Sequence, residues 1–206
     1  MKIVTRANAI KNLKKYIGKD LSDLALKHGV TVYLKGKQNK GWKGLVLEKL
    51  AGLDTNISKA PNGLSYELKS VAFYNKKGIV SPKETMAITM INPTELIRDS
   101  FFKSHCWNKL KSMVFCAVAW DGKNAKTARL ISVASLDFAE DDELIREIEA
   151  DYNFIRNKLK VKGFKSLTGK DGKWIQARTK GAGHGSTSRA FYARKALVKK
   201  IFDIAK

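Results

Sequence analysis

The chain has 206 residues, of which 44% are hydrophobic, so it is long enough to bury one sizeable core and is not disordered by composition. Lys and Arg number 40 against 19 Asp and Glu, which gives a formal net charge of +21 and predicts a polyanionic partner. The sequence has no run of about 18 apolar residues and no signal-peptide pattern, so we expect a cytoplasmic protein with no membrane partner.

The N-terminal quarter predicts three short helices and one short strand. Amphipathic patterns favour helices over 6–17, 20–28 and 41–51, and Asp20 is suited to cap the second of them. Residues 30–34 are rich in β-branched side chains, which is typical of a strand.

The middle of the chain predicts the sheet. Residues 64–73 and 84–91 alternate like strands, and the polar link between them indicates a hairpin-like pair. A helix is expected over 100–109. The nearly continuous apolar run 113–120 predicts a buried strand, and 128–134 is expected to pair beside it at the centre of a mixed sheet.

The C-terminal third combines an acidic helix with basic elements. The acidic stretch 137–151 predicts an amphipathic helix that faces away from nucleic acid. Residues 173–180 alternate like a strand and lead into the glycine-rich loop 181–188, and 189–205 fits a basic helix.

The cysteines and histidines do not predict a metal site. Cys106 and Cys116 lie in apolar or aromatic surroundings without metal-ligand spacing, so we expect reduced thiols that pack in the core. The three histidines are too widely separated in sequence to suggest a zinc site.

Glu67 and Lys69 are the first residues that suggest chemistry. They lie two apart on a predicted strand, so both side chains leave the same face of the sheet. Phosphodiester hydrolysis uses carboxylate oxygens that hold Mg²⁺ and a cation that orients the attacking water. By itself the pair is a weak signal, because an exposed ion pair on one face of a strand is the more common explanation.

Several motifs in order around this pair resemble the MutH family of DNA endonucleases. The stretch KGWKGLVLEKLAG, followed by LSYELKS, is similar to that family's KGW-x-G-x-x-LE helix and ELK strand. NKLKSMVF resembles its HKLK segment, and IQARTK followed by SRAFYARK resembles its IRPK and RGFYLKK segments. The similarity extends over residues 40–195.

The resemblance implies an active site. It assigns Glu67 and Glu48 to the Mg²⁺ site or its immediate surroundings, Lys69 to the role of catalytic lysine, and Lys109 to that of a second active-site lysine. The alternative for Glu48 and Lys109 is an ordinary solvated surface position.

The same resemblance implies a DNA-binding surface. Lys40 would lie near the DNA backbone, Arg178 and Lys180 would read bases in the major groove, and Tyr192 would match the tyrosine that probes adenine methylation. Solvated surface is the alternative for the three basic residues, and core packing is the alternative for Tyr192. Thr179 replaces the family's proline between the two basic residues, which makes the target sequence less certain than DNA binding.

One departure affects the metal site directly. The family has an aspartate seven residues before the ELK glutamate, and this chain has Ala60 there. A methyl group cannot bind a metal ion, so Mg²⁺ affinity and turnover are expected to fall steeply while DNA binding survives. Ala60 is either an engineered inactivating change or the mark of a natural binding-only protein, and the otherwise intact site favours the first.

We therefore expect an α/β, restriction-endonuclease-like (PD-(D/E)XK) fold with a mixed central sheet flanked by helices. Residues 1–206 would form a single domain, bilobed if the DNA lies in a cleft. The expected function is Mg²⁺-dependent, sequence-specific cleavage of double-stranded DNA in the manner of a type II restriction enzyme, with GATC as the implied target and Ala60 inactivating this chain. The alternatives are a non-catalytic DNA-binding module of the same fold and, more distantly, a structural RNA-binding protein.

Overall fold

The computed structural model describes residues 4–35, 37–39, 41–53, 65–77, 79–120, 128–180 and 187–204. Lys40 and Ala60 therefore lie outside the described residues, as does most of the glycine-rich loop. The helices are α1 Arg6–Lys14, α2 Leu21–Lys27, α3 Trp42–Ala51, α4 Pro93–Arg98, α5 His105–Leu110, α6 Glu143–Lys162 and α7 Lys195–Ile204, with short 3-10 helices at Phe101–Lys103 and Phe164–Ser166. The strands are β1 Tyr33–Leu34, β2 Lys37–Gln38, β3 Glu67–Lys76, β4 Ile79–Pro82, β5 Met86–Met90, β6 Ser112–Ala119, β7 Leu130–Asp137, β8 Ile175–Thr179 and β9 Arg189–Ala193.

The first three helices begin within one residue of their predicted starts, and the second and third also end within one residue of their predicted ends. The Asp20 side chain accepts a hydrogen bond from the Ser22 amide and so caps α2. Gly52 ends α3 with φ +88°, a left-handed conformation that costs glycine little. Residues beyond Lys14 turn away from α1, so the predicted helix 6–17 is shorter in the structure.

A four-stranded mixed sheet forms the centre of the molecule, as predicted. Its order is β4-β3-β6-β7, with β3 and β6 parallel and the two outer pairings antiparallel. Glu67 stands opposite Met113 in the β3–β6 register. The fold is thus α/β, with a mixed sheet flanked by helices, as expected for a restriction-endonuclease-like fold.

The predicted hairpin of 64–73 with 84–91 is wrong. β3 pairs instead with β4, which lies in the segment that was read as a polar link, and β5 joins a different sheet. Strand alternation identifies which residues are extended but does not specify their partners.

β5 belongs to a second, three-stranded antiparallel sheet, of order β5-β9-β8. The predicted helix 189–205 is wrong over its first residues. Residues 189–193 form β9, the middle strand of this sheet, and the C-terminal helix begins only at Lys195. Phe191 enters the core from this strand and not from the predicted helix 189–205.

The acidic helix is also displaced from its predicted bounds. Asp137 is the last residue of β7, and α6 begins at Glu143 and continues to Lys162. Its Asp151 is buried and accepts hydrogen bonds from the backbone amides of Trp174 and Ile175, so it holds the start of β8 against the helix.

Two apolar clusters cover the two faces of the central sheet. α1, α2 and α3 pack on the face that carries Leu68 and Val114, whereas the second sheet and the C-terminal helices pack on the face that carries Val71 and Phe115. Glu67 lies on the second of these faces, because β3 alternates. The central sheet therefore directs Glu67 toward the three-stranded sheet.

No helix in the described ranges is long and apolar enough to cross a membrane.

Cys106 and Cys116 are free thiols that are fully buried, as the sequence predicts. Burial raises the pKa of both thiols, that of Cys116 to about 12. Because a thiol reacts as its thiolate, neither should react with Ellman's reagent in the native protein, and both should react after unfolding in guanidinium chloride. Rapid reaction of either thiol under native conditions would contradict this packing.

Candidate active site

Glu67 is the carboxylate around which the candidate site is built. It is the first residue of β3 and only 3% of its surface is exposed. Lys69 follows two residues later on the same face, and its Nζ lies 2.9 Å from Glu67 Oε1. The alternative of an exposed surface ion pair is therefore wrong, because the lysine side chain is itself only 14% exposed.

Lys109 completes the ion-paired cluster from a different element. Its Nζ donates to the same Glu67 Oε1, at 3.1 Å. α5 places it there: Ser104 Oγ caps the helix by accepting from the Trp107 amide, and the buried Leu110 anchors the last turn just before β6. Ser104 also explains why the predicted helix 100–109 is divided, since it ends the short 3-10 helix and begins α5.

The electrostatic environment of Lys69 favours loss of its proton. Burial lowers the pKa of Lys69 below its ordinary value, and the charge and hydrogen bond of Glu67 oppose this effect. The positive charges of Lys109 and Lys180 lower the pKa further. A lysine with a lowered pKa is suited to accept a proton from water or to orient it.

Lys69 has a second acceptor, which sequence analysis missed. Its Nζ donates to the backbone carbonyl of Ile88, at 3.2 Å. Ile88 lies where the register between β5 and β9 shifts. Every residue carries a carbonyl, so no sequence signal could have identified this one.

The predicted base-reading residues lie together on the three-stranded sheet. The Arg178 guanidinium lies over the Tyr192 ring, 5.1 Å from its centroid, and Arg178 Nη1 is 3.4 Å from Thr85 Oγ1. Tyr192 is half-buried, so it is not simply a core residue. Lys180 is exposed just beyond β8, where its amide donates to the Ser188 carbonyl.

Glu48 comes from the helix that precedes β3 in the chain. It is half-buried on α3, and α3 packs on the sheet face opposite to that of Glu67. The described ion pairs of the cluster join Glu67 to Lys69 and to Lys109. A role for Glu48 at the site therefore stays a prediction.

The described donor set does not complete a magnesium site. Mg²⁺ requires near-octahedral oxygen ligands and is bound through carboxylates. Within the described ranges no three His, Cys, Asp or Glu side chains come together, and Glu67 Oε1 is shared by two ammonium groups. The aspartate that the family resemblance would add is alanine at position 60.

Comparison with known proteins bears directly on these motifs. The sequence profile of the family described as "DNA mismatch repair enzyme MutH" matches residues 55–148. "DNA mismatch repair protein MutH" of Klebsiella pneumoniae subsp. pneumoniae is 24% identical over 179 residues, which cover 86% of this chain and 76% of the relative. The protein of the same name from Shewanella sp. (strain W3-18-1) is 26% identical over 204 residues, which cover 91% and 90%.

The chain is MutH-like. The resemblance to a family of DNA mismatch-repair endonucleases, first indicated by the ELK strand and the helix before it, is thus confirmed. The matched range of the MutH profile contains Glu67, Lys69 and Lys109, and the alignment with the Shewanella MutH extends over most of the chain.

The cluster gives a stability prediction for this MutH-like chain. Glu67→Ala leaves the two part-buried ammonium groups of Lys69 and Lys109 without their shared carboxylate. We expect the free energy of unfolding in urea to fall by about 3–5 kcal/mol, because breaking a buried ion pair leaves uncompensated charge.

The matched control removes the stranded charges as well. Glu67→Ala combined with Lys69→Met and Lys109→Met should recover most of the loss, because apolar groups of similar length replace the unpaired ammonium groups. A loss below about 1 kcal/mol for Glu67→Ala alone would indicate that the cluster behaves as a solvated surface network.

Proposed function

We propose that this chain has the architecture of a sequence-specific endonuclease for double-stranded DNA and that Ala60 makes it inactive. The observation that carries the proposal is the buried Glu67 carboxylate held between Lys69 and Lys109, beside a sheet that presents Arg178 and Tyr192. A carboxylate with two ammonium groups matches the needs of phosphodiester hydrolysis.

Each member of the cluster has a proposed role in that reaction. Lys69, in its deprotonated amine form, orients the attacking water and accepts its proton, and Lys109 stabilises the negative charge that develops on the phosphate. The water oxygen forms a bond to phosphorus while the bond to the 3′ oxygen breaks. The 3′ oxygen leaves with the bonding electron pair and takes a proton from solvent, so the cut strand ends in a 3′-hydroxyl and a 5′-phosphate. Glu67 holds both lysines in place and is the one proposed metal ligand within the described residues.

Magnesium dependence is a proposal for the complete site and not for the chain as it stands. Glu67 alone is a poor ligand set for Mg²⁺, which in such sites uses one or two carboxylates together with substrate phosphate. An aspartate at position 60 would supply the second carboxylate.

DNA binding is proposed to survive the loss of catalysis. The net charge of +21 favours phosphate contacts that do not depend on a metal ion. Arg178 and Lys180 are exposed, and the stack of Arg178 on Tyr192 holds the guanidinium in one orientation, which suits bidentate hydrogen bonding to a guanine edge. Lys40 would add a backbone contact.

We further propose a type II restriction-like cut of both strands, with GATC as the first sequence to test. The chain would act in the cytoplasm as one domain, with the duplex held between the end of β3 and the three-stranded sheet.

Ala60 itself favours a second candidate function. A protein that keeps the basic surface but lacks one metal ligand would serve as a DNA-binding module of the same fold. The two candidates differ in a single measurable property, which is whether one restored carboxylate produces cleavage.

Plasmid cleavage with Mg²⁺ tests both candidates. The chain as given should not cut, Ala60→Asp should cut at one short sequence, and Ala60→Asn should not cut, because its amide has the size of aspartate without the charge. If Ala60→Asp binds duplex DNA but leaves the plasmid intact, the binding module replaces the nuclease.

A further inference from the structure

The segment that contains α6 is divided by charge into an acidic and a basic half. Residues 137–151 contain eight Asp and Glu, whereas residues 152–170 contain six Lys and Arg and no Asp or Glu. α6 has 20 residues and is about 30 Å long, since an α-helix rises about 1.5 Å per residue. The acidic and the basic end of the helix therefore lie on different parts of the molecule.

Helix stability explains only some of the lysines at the basic end. A helix carries partial negative charge at its C-terminus, so Lys160 and Lys162 in the last turn of α6 stabilise it. This effect falls off beyond the last turn. Lys165 lies outside the helix, after Gly163 with its φ of +74°, and it is exposed. Its position needs another explanation.

Arg189 holds the segment that follows α6. Its Nε donates to the Leu167 carbonyl at 2.9 Å, and its Nη2 donates to the Lys165 carbonyl at 3.5 Å. Its Nη1 donates to the Thr187 carbonyl at 3.0 Å, and the guanidinium lies over the Phe164 ring, 5.6 Å from its centroid. One guanidinium thus joins the short 3-10 helix after α6 to the end of the glycine-rich loop.

The end of that loop is bonded in turn to Lys180. The Lys180 amide donates to the Ser188 carbonyl at 3.1 Å, and Ser188 Oγ donates to the Lys180 carbonyl at 2.7 Å. Hydrogen bonds therefore connect the backbone at Lys165, through Arg189, to the end of the strand that carries Arg178. The basic end of α6 is held beside the residues proposed to read bases.

A duplex that presents base edges to Arg178 and Lys180 would bring phosphates to this neighbouring segment. The major groove is only about 12 Å wide and is bordered by the two sugar-phosphate backbones. An element beside a base-reading strand therefore meets that border. An ammonium group on a flexible side chain binds phosphate as a point charge and requires no particular base.

We propose that Lys162 and Lys165 form a phosphate clamp, which binds the DNA backbone beside the bases that Arg178 and Lys180 contact. The inference rests on the proposed function, since it takes the three-stranded sheet to meet duplex DNA. The clamp supplies affinity and register and does not read sequence. The acidic end of α6 is about 30 Å from it along the helix axis, which keeps the carboxylates away from the phosphates.

The salt dependence of duplex binding by the chain as given tests the clamp. Lys162→Gln combined with Lys165→Gln should lower the slope of log affinity against log salt concentration by about 1.8, because each neutralised phosphate contributes about 0.9. The reduction should be the same for a duplex with GATC and for one with that sequence scrambled, because phosphate contacts carry no sequence information.

The matched control makes the same charge change elsewhere. Lys19 and Lys27 are both exposed. The Lys19 carbonyl accepts from the Leu130 amide at the start of β7, which is the end of the central sheet away from Glu67. Lys27 ends α2, on the sheet face opposite to the three-stranded sheet. Lys19→Gln combined with Lys27→Gln should leave the slope nearly unchanged. Equal reductions in both double variants, or none in the clamp variant, would overturn the inference.

The acetylation rates of single lysines locate the contact in the unsubstituted chain. The chain is treated with N-hydroxysuccinimide acetate with and without saturating duplex, and each lysine is followed by peptide mass spectrometry. Duplex should slow the acetylation of Lys162 and Lys165 several-fold and leave that of Lys19 and Lys27 unchanged. Unchanged rates at Lys162 and Lys165 in the bound protein would contradict the clamp.

The outcomes separate this inference from the proposed function. If the chain binds duplex DNA but Lys162 and Lys165 are neither protected nor needed for the salt slope, the clamp alone is wrong. If the chain binds no duplex at all, the clamp and the proposed function are both wrong.

Discussion

The arrangement of the candidate active site depends on the burial of the Glu67 carboxylate between two lysines. Removing a charged group from water costs several kcal/mol, and this cost is recovered only with close, well-oriented partners. Lys69 and Lys109 are such partners of Glu67, and they approach from β3 itself and from the helix before β6. The parallel pairing of β3 with β6 brings these two elements to the same end of the sheet. The topology of the mixed sheet therefore brings Lys109 beside Glu67 and Lys69.

The sequence was informative about the site because the relevant spacing is local. Glu67 and Lys69 had to share a face once residue 67 began a strand, and the structure shows that they do. Lys109 was reached only through the family resemblance, since its approach to Glu67 depends on a strand pairing across 42 residues. The Ile88 carbonyl was not predictable, because a backbone acceptor is defined by a register shift and not by a side chain.

The difference between local signals and long-range contacts also explains the errors in the predicted fold. Capping and glycine signals act within a few residues: Asp20 caps α2, as predicted, and Gly52 ends α3. The partner of β3 and the start of α7 depend on contacts with distant segments. Residues 189–193 have a helix-compatible composition, but two flanking strands supply backbone partners on both sides and Phe191 fits the core between them, so tertiary contacts outweigh local preference.

Catalysis and DNA binding place different demands on this chain. In the proposed function, DNA binding uses the basic surface and the stacked Arg178 and requires no metal ligand. The proposed hydrolysis would need a second carboxylate beside Glu67, and the residue at the position that the family resemblance indicates is alanine. A single substitution can therefore separate the two properties in a MutH-like fold.

The most direct measurement of the central claim is single-turnover cleavage of a cognate duplex by Ala60→Asp and by the double variant Ala60→Asp/Glu67→Gln, with duplex affinity measured for each. Glutamine keeps the shape of Glu67 but removes the charge that holds Lys69 and Lys109. We expect cleavage to disappear in the double variant while duplex affinity is retained. Cleavage by the double variant at the rate of its parent would show that hydrolysis takes place elsewhere on the molecule.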